Sequence, residues 1–323
     1  MNTFAADVLG CKTPLILAPL AHLASNELIA TITNAGGIGT LPVHRLKPEQ
    51  TRERLQQIRS LTSGPIMVSF TGEWERDENL DVLLEFDIQL AMVFWWNAPR
   101  LIHRLQAHGI KVGWQIGTDD QLSDALSRDA DFIIAQGLEA GGHVRSPHRL
   151  DDLLTLIRNR TDCPVVAAGG INTPSRAGEL VPSAASAVML GTRFCVSNEA
   201  SNSDSDRTLL IDAKRESVVL DTSLRGDWPC AFRRRLTTGG DLDIPERYAN
   251  TNVSEIESVL PAAQIVADFA KVLNQYGLGS QYRCLRQNIV DKLRHAYGRG
   301  GAGCSSYYGS AITDTPIHHP CFL

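Results

Sequence analysis

The strongest constraint on this chain is an alternation. Short apolar runs and segments with helical periodicity follow one another from Leu15 to Leu190. The apolar runs are Leu15–Ala18, Ile38–Leu41, Ile66–Phe70, Ile88–Phe94, Lys111–Ile116, Phe132–Ala135, Pro164–Ala168 and Ala187–Leu190. Between most of them the pattern turns helical. One such segment starts at the N-cap candidate Ser25 and stops at Asn34-Ala35-Gly36-Gly37. Others cover Pro48–Ser60, Leu80–Glu85, Pro99–His108, Asp119–Arg128, Leu150–Arg160 and Pro174–Leu180. Continuous apolar runs between helices predict a parallel sheet covered on both faces. Eight units in about 190 residues predict closure into an α/β fold of the (β/α)8 TIM barrel type rather than an open sheet.

A barrel keeps its chemistry at the carboxyl ends of its strands. The most informative end here is Ile133-Ile134-Ala135-Gln136-Gly137-Leu138-Glu139-Ala140-Gly141-Gly142-His143. A buried strand stops at Gln136, and a short glycine-rich loop then presents one carboxylate and one imidazole. The seventh and eighth strands end in Ala168-Gly169-Gly170 and Leu190-Gly191-Thr192. Barrels hold a phosphate at those two ends, on backbone N–H groups that glycine leaves uncovered.

Composition narrows the partners. The 323 residues carry a net charge of −5, which offers no basic footprint for nucleic acid. No apolar run is long enough to span a bilayer. Met1 to Cys11 has neither a basic n-region nor a long apolar stretch, so no secretory signal is expected and the cytoplasm is the expected location. Seven scattered cysteines without a CxxC pair predict reduced thiols and no metal site. A small-molecule substrate is the expected partner, with room for a homodimer.

After Thr192 the pattern changes. A polar stretch runs from Ser197, a helix begins near Asp206, and Glu216–Arg225 reads as a strand or an irregular arm. A long helical pattern spans Pro245–Gln275. The expected organisation is a barrel over residues 1–195, a C-terminal helical lid or appendage near the barrel mouth over 196–275, and a last helix with a loose tail over 276–323. The tail residues His318, His319 and Cys321 fit a solvated end better than a metal site.

Taken in order, Ala18-Pro19-Leu20, the glycine motif ending at Gly39, Gln136 to His143, Ala167-Ala168-Gly169-Gly170-Ile171 and Gly191-Thr192-Arg193-Phe194 resemble the nitronate monooxygenase family, formerly the 2-nitropropane dioxygenases. The resemblance covers about Leu15 to Glu199 closely, and Gln136 to His143 is its specific part. It implies an FMN-containing barrel with a lid-like helical domain and dioxygen as co-substrate. FMN contacts are then expected at Ala18, Pro19, Leu20, Ser69, Gln136, Gly141, Gly142, Ala168, Gly169, Gly170, Leu190, Gly191 and Thr192. His143 becomes the active-site base.

Three positions depart from the family pattern. Ser69 stands where many members have an asparagine that touches the flavin. Leu20 replaces a methionine and is followed by His22. Val144-Arg145-Ser146 replaces the usual Arg-Gly after the histidine, which implies a reshaped pocket rim.

His22, Trp95 and Arg145 are candidates to line the substrate pocket, with rim or packing roles as the alternatives. Glu139 fits a loop-orienting acceptor better than an acid or base. Three functions compete: an FMN-dependent oxidation of a nitronate, nitroalkane or related stabilised carbanion; an NAD(P)H-dependent enoyl-thioester (enoyl-acyl carrier protein) reductase; and a non-catalytic flavin-binding or protein-binding barrel.

Overall fold

The computed structural model describes residues 4–44, 46–71, 77–94, 99–222, 232–237 and 247–275. Strands β1 (Leu15–Leu17), β2 (Gly39–Pro42), β3 (Ile66–Thr71), β4 (Leu90–Phe94), β5 (Lys111–Ile116) and β6 (Phe132–Gln136) come first. A short β7 (Gly142–Val144) leaves the series, which resumes with β8 (Val165–Ala168) and β9 (Ala187–Leu190). The eight-stranded sheet has the order β1-β9-β8-β6-β5-β4-β3-β2, and its paired neighbours are parallel. Its ends meet. Leu17 N–H donates to the Ile38 carbonyl at 2.9 Å, and Ile38 N–H donates to the Leu15 carbonyl at 2.9 Å. The sheet is a closed (β/α)8 barrel.

Period-two alternation sorts each strand into two apolar layers. Ile16, Ile38, Met67, Met92, Ile134 and Val166 fill the barrel interior. Their neighbours Leu17, Leu41, Val68, Val93, Ile133 and Val165 face the helices outside. The floor is sealed by a π-helical turn at Phe4–Val8, a feature with no clear sequence signature. The Phe4 ring meets the Phe132 ring edge-on, centroids 5.6 Å apart, inside the lower barrel. Cys11 is buried beside it, and burial pushes its thiol up to about 12, so it is no nucleophile.

The outer helices are α1 (Asn26–Asn34), α2 (Pro48–Leu61), α3 (Asp77–Glu85), α4 (Pro99–Ala107), α5 (Asp119–Ser127), α6 (Leu150–Arg158) and α7 (Pro174–Ser183). Their starts follow capping rules. Ser25 Oγ accepts from Leu28 N at 2.8 Å, and Thr118 and Thr173 accept from Gln121 N and Arg176 N. Proline opens α2 and α7, where its missing N–H costs nothing.

The region after β9 departs from the expectation at its last helix. A single turn α8 (Thr192–Cys195) leads to α9 (Asp204–Asp212), then to β10 (Val218–Asp221) and β11 (Phe232–Leu236). These strands form an antiparallel sheet in the order β10-β11-β7, and β10 lies within Glu216–Arg225, where a strand or an irregular arm was expected. The helix expected from Pro245 starts only at α10 (Ala262–Leu273). It packs against α7 and α1, closing the ring of outer helices instead of covering the mouth. Its buried face, Ala262, Ile265, Val266, Phe269 and Leu273, recurs at helical spacing and joins the outer-layer core. Burying each large member contributes roughly 1.5–3 kcal/mol relative to exposure. Glu199 Oε2 accepts the Ala262 N–H at 2.8 Å and puts a negative charge at the helix start.

None of the helices among the described residues is long and apolar enough to cross a membrane. The last helix and tail expected over 276–323, with His318, His319 and Cys321, lie outside the described residues.

The floor yields a test. Phe4→Ala should cost about 3 kcal/mol, the low end for a buried Phe, because a single short turn can relax into the space left. Urea unfolding would show the lower midpoint, and an unchanged midpoint would remove the turn from the core.

Candidate active site

The barrel interior turns polar at its carboxyl end. Thr40 on β2, Ser69 and Thr71 on β3, Gln115 on β5 and Gln136 on β6 occupy inward positions above the apolar layers, and all are buried. Four of these side chains keep a buried oxygen without a hydrogen-bond partner: Thr40 Oγ1, Ser69 Oγ, Thr71 Oγ1 and Gln136 Oε1. A buried polar atom left unpaired costs about 1–3 kcal/mol, so such a concentration marks a place built for something polar.

Gln136 also organises the loop that follows it. Its Nε2 donates to the His143 carbonyl at 3.0 Å. Glu139 Oε2 accepts the Leu150 N–H at 2.9 Å and Oε1 lies 3.4 Å from Arg149 Nε. The carboxylate therefore caps α6 and holds the loop. Gly141 passes close under a crossing segment; a Cβ there would lie 2.7 Å from the Ala249 carbonyl carbon. Gly142 and His143 then enter β7, so the imidazole sits on a paired strand and not in a free turn. The His143 ring is half-buried, 5.5 Å from the Tyr248 ring at 54°.

The two glycine turns lie where expected, after β8 and β9. Gly169 and Gly170 have φ of +107° and +67°, left-handed values that favour glycine. Ala168 faces the barrel interior above Val166. Gly191 stands beside Ala18 and Leu20; a Cβ there would lie 3.5 and 3.6 Å from their side chains. The Leu190 side chain points outward into the helix layer, which leaves only its backbone for the mouth. Pro19 is half-buried, and His22 is exposed on a 3-10 turn at Ala21–Leu23. Arg145 is half-buried just past β7. Trp95 lies outside the described residues.

The strap from Arg247 to Asn252 went unmarked in the sequence. Asn250 and Asn172 exchange side-chain hydrogen bonds at 3.0 and 2.8 Å, and both are buried. Asn252 Nδ2 donates to the Gly170 carbonyl at 2.9 Å, and Asn172 Nδ2 reaches the Asn252 carbonyl at 2.7 Å. Asn250 N–H donates to Thr192 Oγ1 at 3.1 Å, so the Thr192 hydroxyl keeps its proton for another acceptor. The strap thereby ties both glycine turns together. Scattered asparagines carry no periodic signal, and their pairing spans 78 positions in sequence.

The nitronate monooxygenase family model matches residues 74–241. The chain belongs to this family. It is an oxidoreductase, and a flavin cofactor is the family trait. A nitronate monooxygenase from Pseudomonas aeruginosa is 28% identical over 268 residues, covering 68% of this chain and 76% of that protein. An indene-carboxyl-CoA dehydrogenase from Rhodococcus jostii is 28% identical over 206 residues, and the chain spans 58% of its length. Among solved structures, nitroalkane oxidase from Streptomyces ansochromogenes superposes with a TM-score of 0.74 at 21% identity, over 84% of this chain and 97% of that one. FabK from Thermotoga maritima superposes with a TM-score of 0.76 at 22% identity, over 90% and 98%. These two share the fold with this nitronate monooxygenase family member.

Asn250→Ala should destabilise the protein by about 1–3 kcal/mol, because Asn172 is left buried with unmet donors and acceptors. The double variant Asn172→Ala/Asn250→Ala should cost clearly less than the sum of the singles, read from urea unfolding. Additive costs would show that the two amides act independently.

Proposed function

We propose that this protein binds FMN across the barrel mouth and oxidises a nitronate, a nitroalkane or a related stabilised carbanion with dioxygen. The observation that carries the reading is Gln136. Its amide nitrogen is committed to the His143 carbonyl, while its oxygen is buried at the end of β6 with no partner. That oxygen suits an N–H of a flavin ring, and the Ser69 hydroxyl opposite can donate or accept.

The remaining residues fit the same group. Backbone N–H groups of Gly169, Gly170 and Gly191 and the Thr192 hydroxyl would hold the phosphate. Ala18, Pro19 and Leu20 supply an apolar edge beside Gly191, with Ala168 below and the Leu190 backbone alongside. Gly141 and Gly142 let the loop lie close to the ring. When bound, FMN supplies an electron acceptor that reacts with dioxygen.

His143 acts on the substrate. A nitrogen of the neutral imidazole takes the proton from the carbon next to the nitro group, the C–H electron pair moves onto that group, and a nitronate results. A nitronate supplied ready-made needs no such step. Arg145 is placed by this reading at the pocket rim, and His22 further out. The helical-lid role expected for residues 196–275 passes to the strap and to the β10–β11 arm.

Freshly purified protein should be yellow, and a nitronate mixed in without oxygen should bleach it faster than NADH does. Rapid bleaching by NADH alone would favour the enoyl-thioester reductase reading, and a colourless protein that takes up no flavin would sink both. His143→Ala should keep the flavin but lose turnover of nitroethane by about 100-fold or more, while turnover of ethyl nitronate largely survives. Gly191→Val should lose the flavin on dialysis; a yellow, active variant would remove Gly191 from the phosphate site.

A further inference from the structure

Arg193 follows Thr192 in the single turn α8, but its side chain runs to the outer wall of the barrel. There it lines a cleft of about 390 Å³ between the start of α7 at Pro174 and α10. Leu260, Ile265, Phe269 and Val272 supply apolar walls. The volume falls in the range of small-ligand pockets, which pair apolar walls with a few placed polar groups.

The arginine is only 6% exposed, and it spends little of its hydrogen-bonding capacity. Nη1 donates to the Ser258 carbonyl at 3.1 Å. A guanidinium carries five N–H donors. Nε and Nη2 have no hydrogen-bond partner among the described residues, and neither is sealed off from solvent, so this edge opens on the cleft. Those two nitrogens form the fork that meets a carboxylate through two parallel hydrogen bonds.

The cleft does not supply that carboxylate itself. Asp268 is the acidic residue of the lining, and it makes no ion pair with Arg193 among the described residues. Its Oδ1 accepts from Lys271 Nζ at 2.8 Å and from Gln264 Nε2 at 3.0 Å. Burial pulls the Arg193 guanidinium below its ordinary value, and the charge of Asp268 offsets only part of that. A buried cation without a paired anion is unfavourable, and an anion seated on its open edge would relieve the cost.

We propose that this cleft binds a small molecule that joins a carboxylate to a short alkyl chain. The carboxylate sits on the Nε–Nη2 edge of Arg193, and the chain lies against Leu260, Phe269 and Val272. The site is on the outer face of the barrel wall, behind the Thr192 turn and away from the mouth. It needs neither a bound flavin nor His143 as a base.

The test is calorimetric titration of the full chain, as purified, with octanoate. Octanoate should bind one to one with a Kd of about 1 mM or tighter, the strength expected for ten heavy atoms. Octan-1-ol has the same chain without the charge, and it should bind about tenfold more weakly or worse. Val272→Trp fills the cleft from a half-buried wall position and should weaken octanoate by about tenfold or more. Arg193→Met should remove the preference for octanoate over octan-1-ol. Asp268→Asn should tighten octanoate a few-fold, because a competing carboxylate is gone.

No binding of octanoate, equal affinity for octanoate and octan-1-ol, or unchanged affinity in Val272→Trp overturns the proposal. So does a flavin spectrum that octanoate shifts equally in wild type and Val272→Trp, since that puts the anion in the mouth. Should Arg193→Met fail to fold, the alcohol comparison and Val272→Trp still decide.

Discussion

The hydrogen bond from the Gln136 amide to the main-chain carbonyl of His143 joins two sheets that share no strand. On one side is a closed parallel barrel, packed inside and out with aliphatic side chains. On the other is a small antiparallel sheet assembled from the loop after β6 and from an arm nearly a hundred residues later. A hydrogen bond of this kind contributes only about 1 kcal/mol net. Its geometric effect is larger. It fixes the glutamine rotamer, directs the free oxygen, and sets where β7 begins. Arg234 adds a second tie through the Leu138 carbonyl, and the strap adds a third through Thr251 N–H to the Glu139 carbonyl at 3.1 Å.

Much of the barrel was legible because its signal is local. Eight apolar runs appear as eight strands, with ends differing by a residue or two, and Ser25, Thr118 and Thr173 cap as their types suggest. Gln136, Gly169, Gly170 and Gly191 stand where strand ends put them. The rest was hidden because it depends on distant pairing. Arg233, Arg234 and Arg235 are three consecutive cations that carry no periodic signal, yet all three are buried. Nothing near them in sequence announces Asp221 or His143 as neighbours. The same holds for Asn172 with Asn250. The helical pattern from Pro245 also misled, since its first apolar residues belong to the strap and a 3-10 turn at Val253–Glu255.

The barrel interior is graded along its axis. The Phe4 turn and Phe132 close the floor, methionine and aliphatic residues fill the middle, and hydroxyl and amide groups appear only in the top layer. A dry core under a polar rim excludes water from beneath while leaving directional groups above. Burial also pushes the thiol of Cys195, in the turn that starts at Thr192, up to about 12, so this sulfur is no nucleophile. The polarity that matters is held by side chains whose rotamers the surrounding core fixes.

The placement of α10 bears on how the molecule is made. The helix that fills the last gap beside α1 follows the whole excursion through α9, β10, β11 and the strap. A ribosome must therefore release almost the entire described chain before the first helix, already beside α2, gains its second neighbour. Until then the apolar flanks of α1 and α7 stay open to water and to other nascent chains. Such long-range closure slows folding and lengthens exposure to aggregation. Expression at low temperature or with chaperones supplied should favour native material over inclusion bodies.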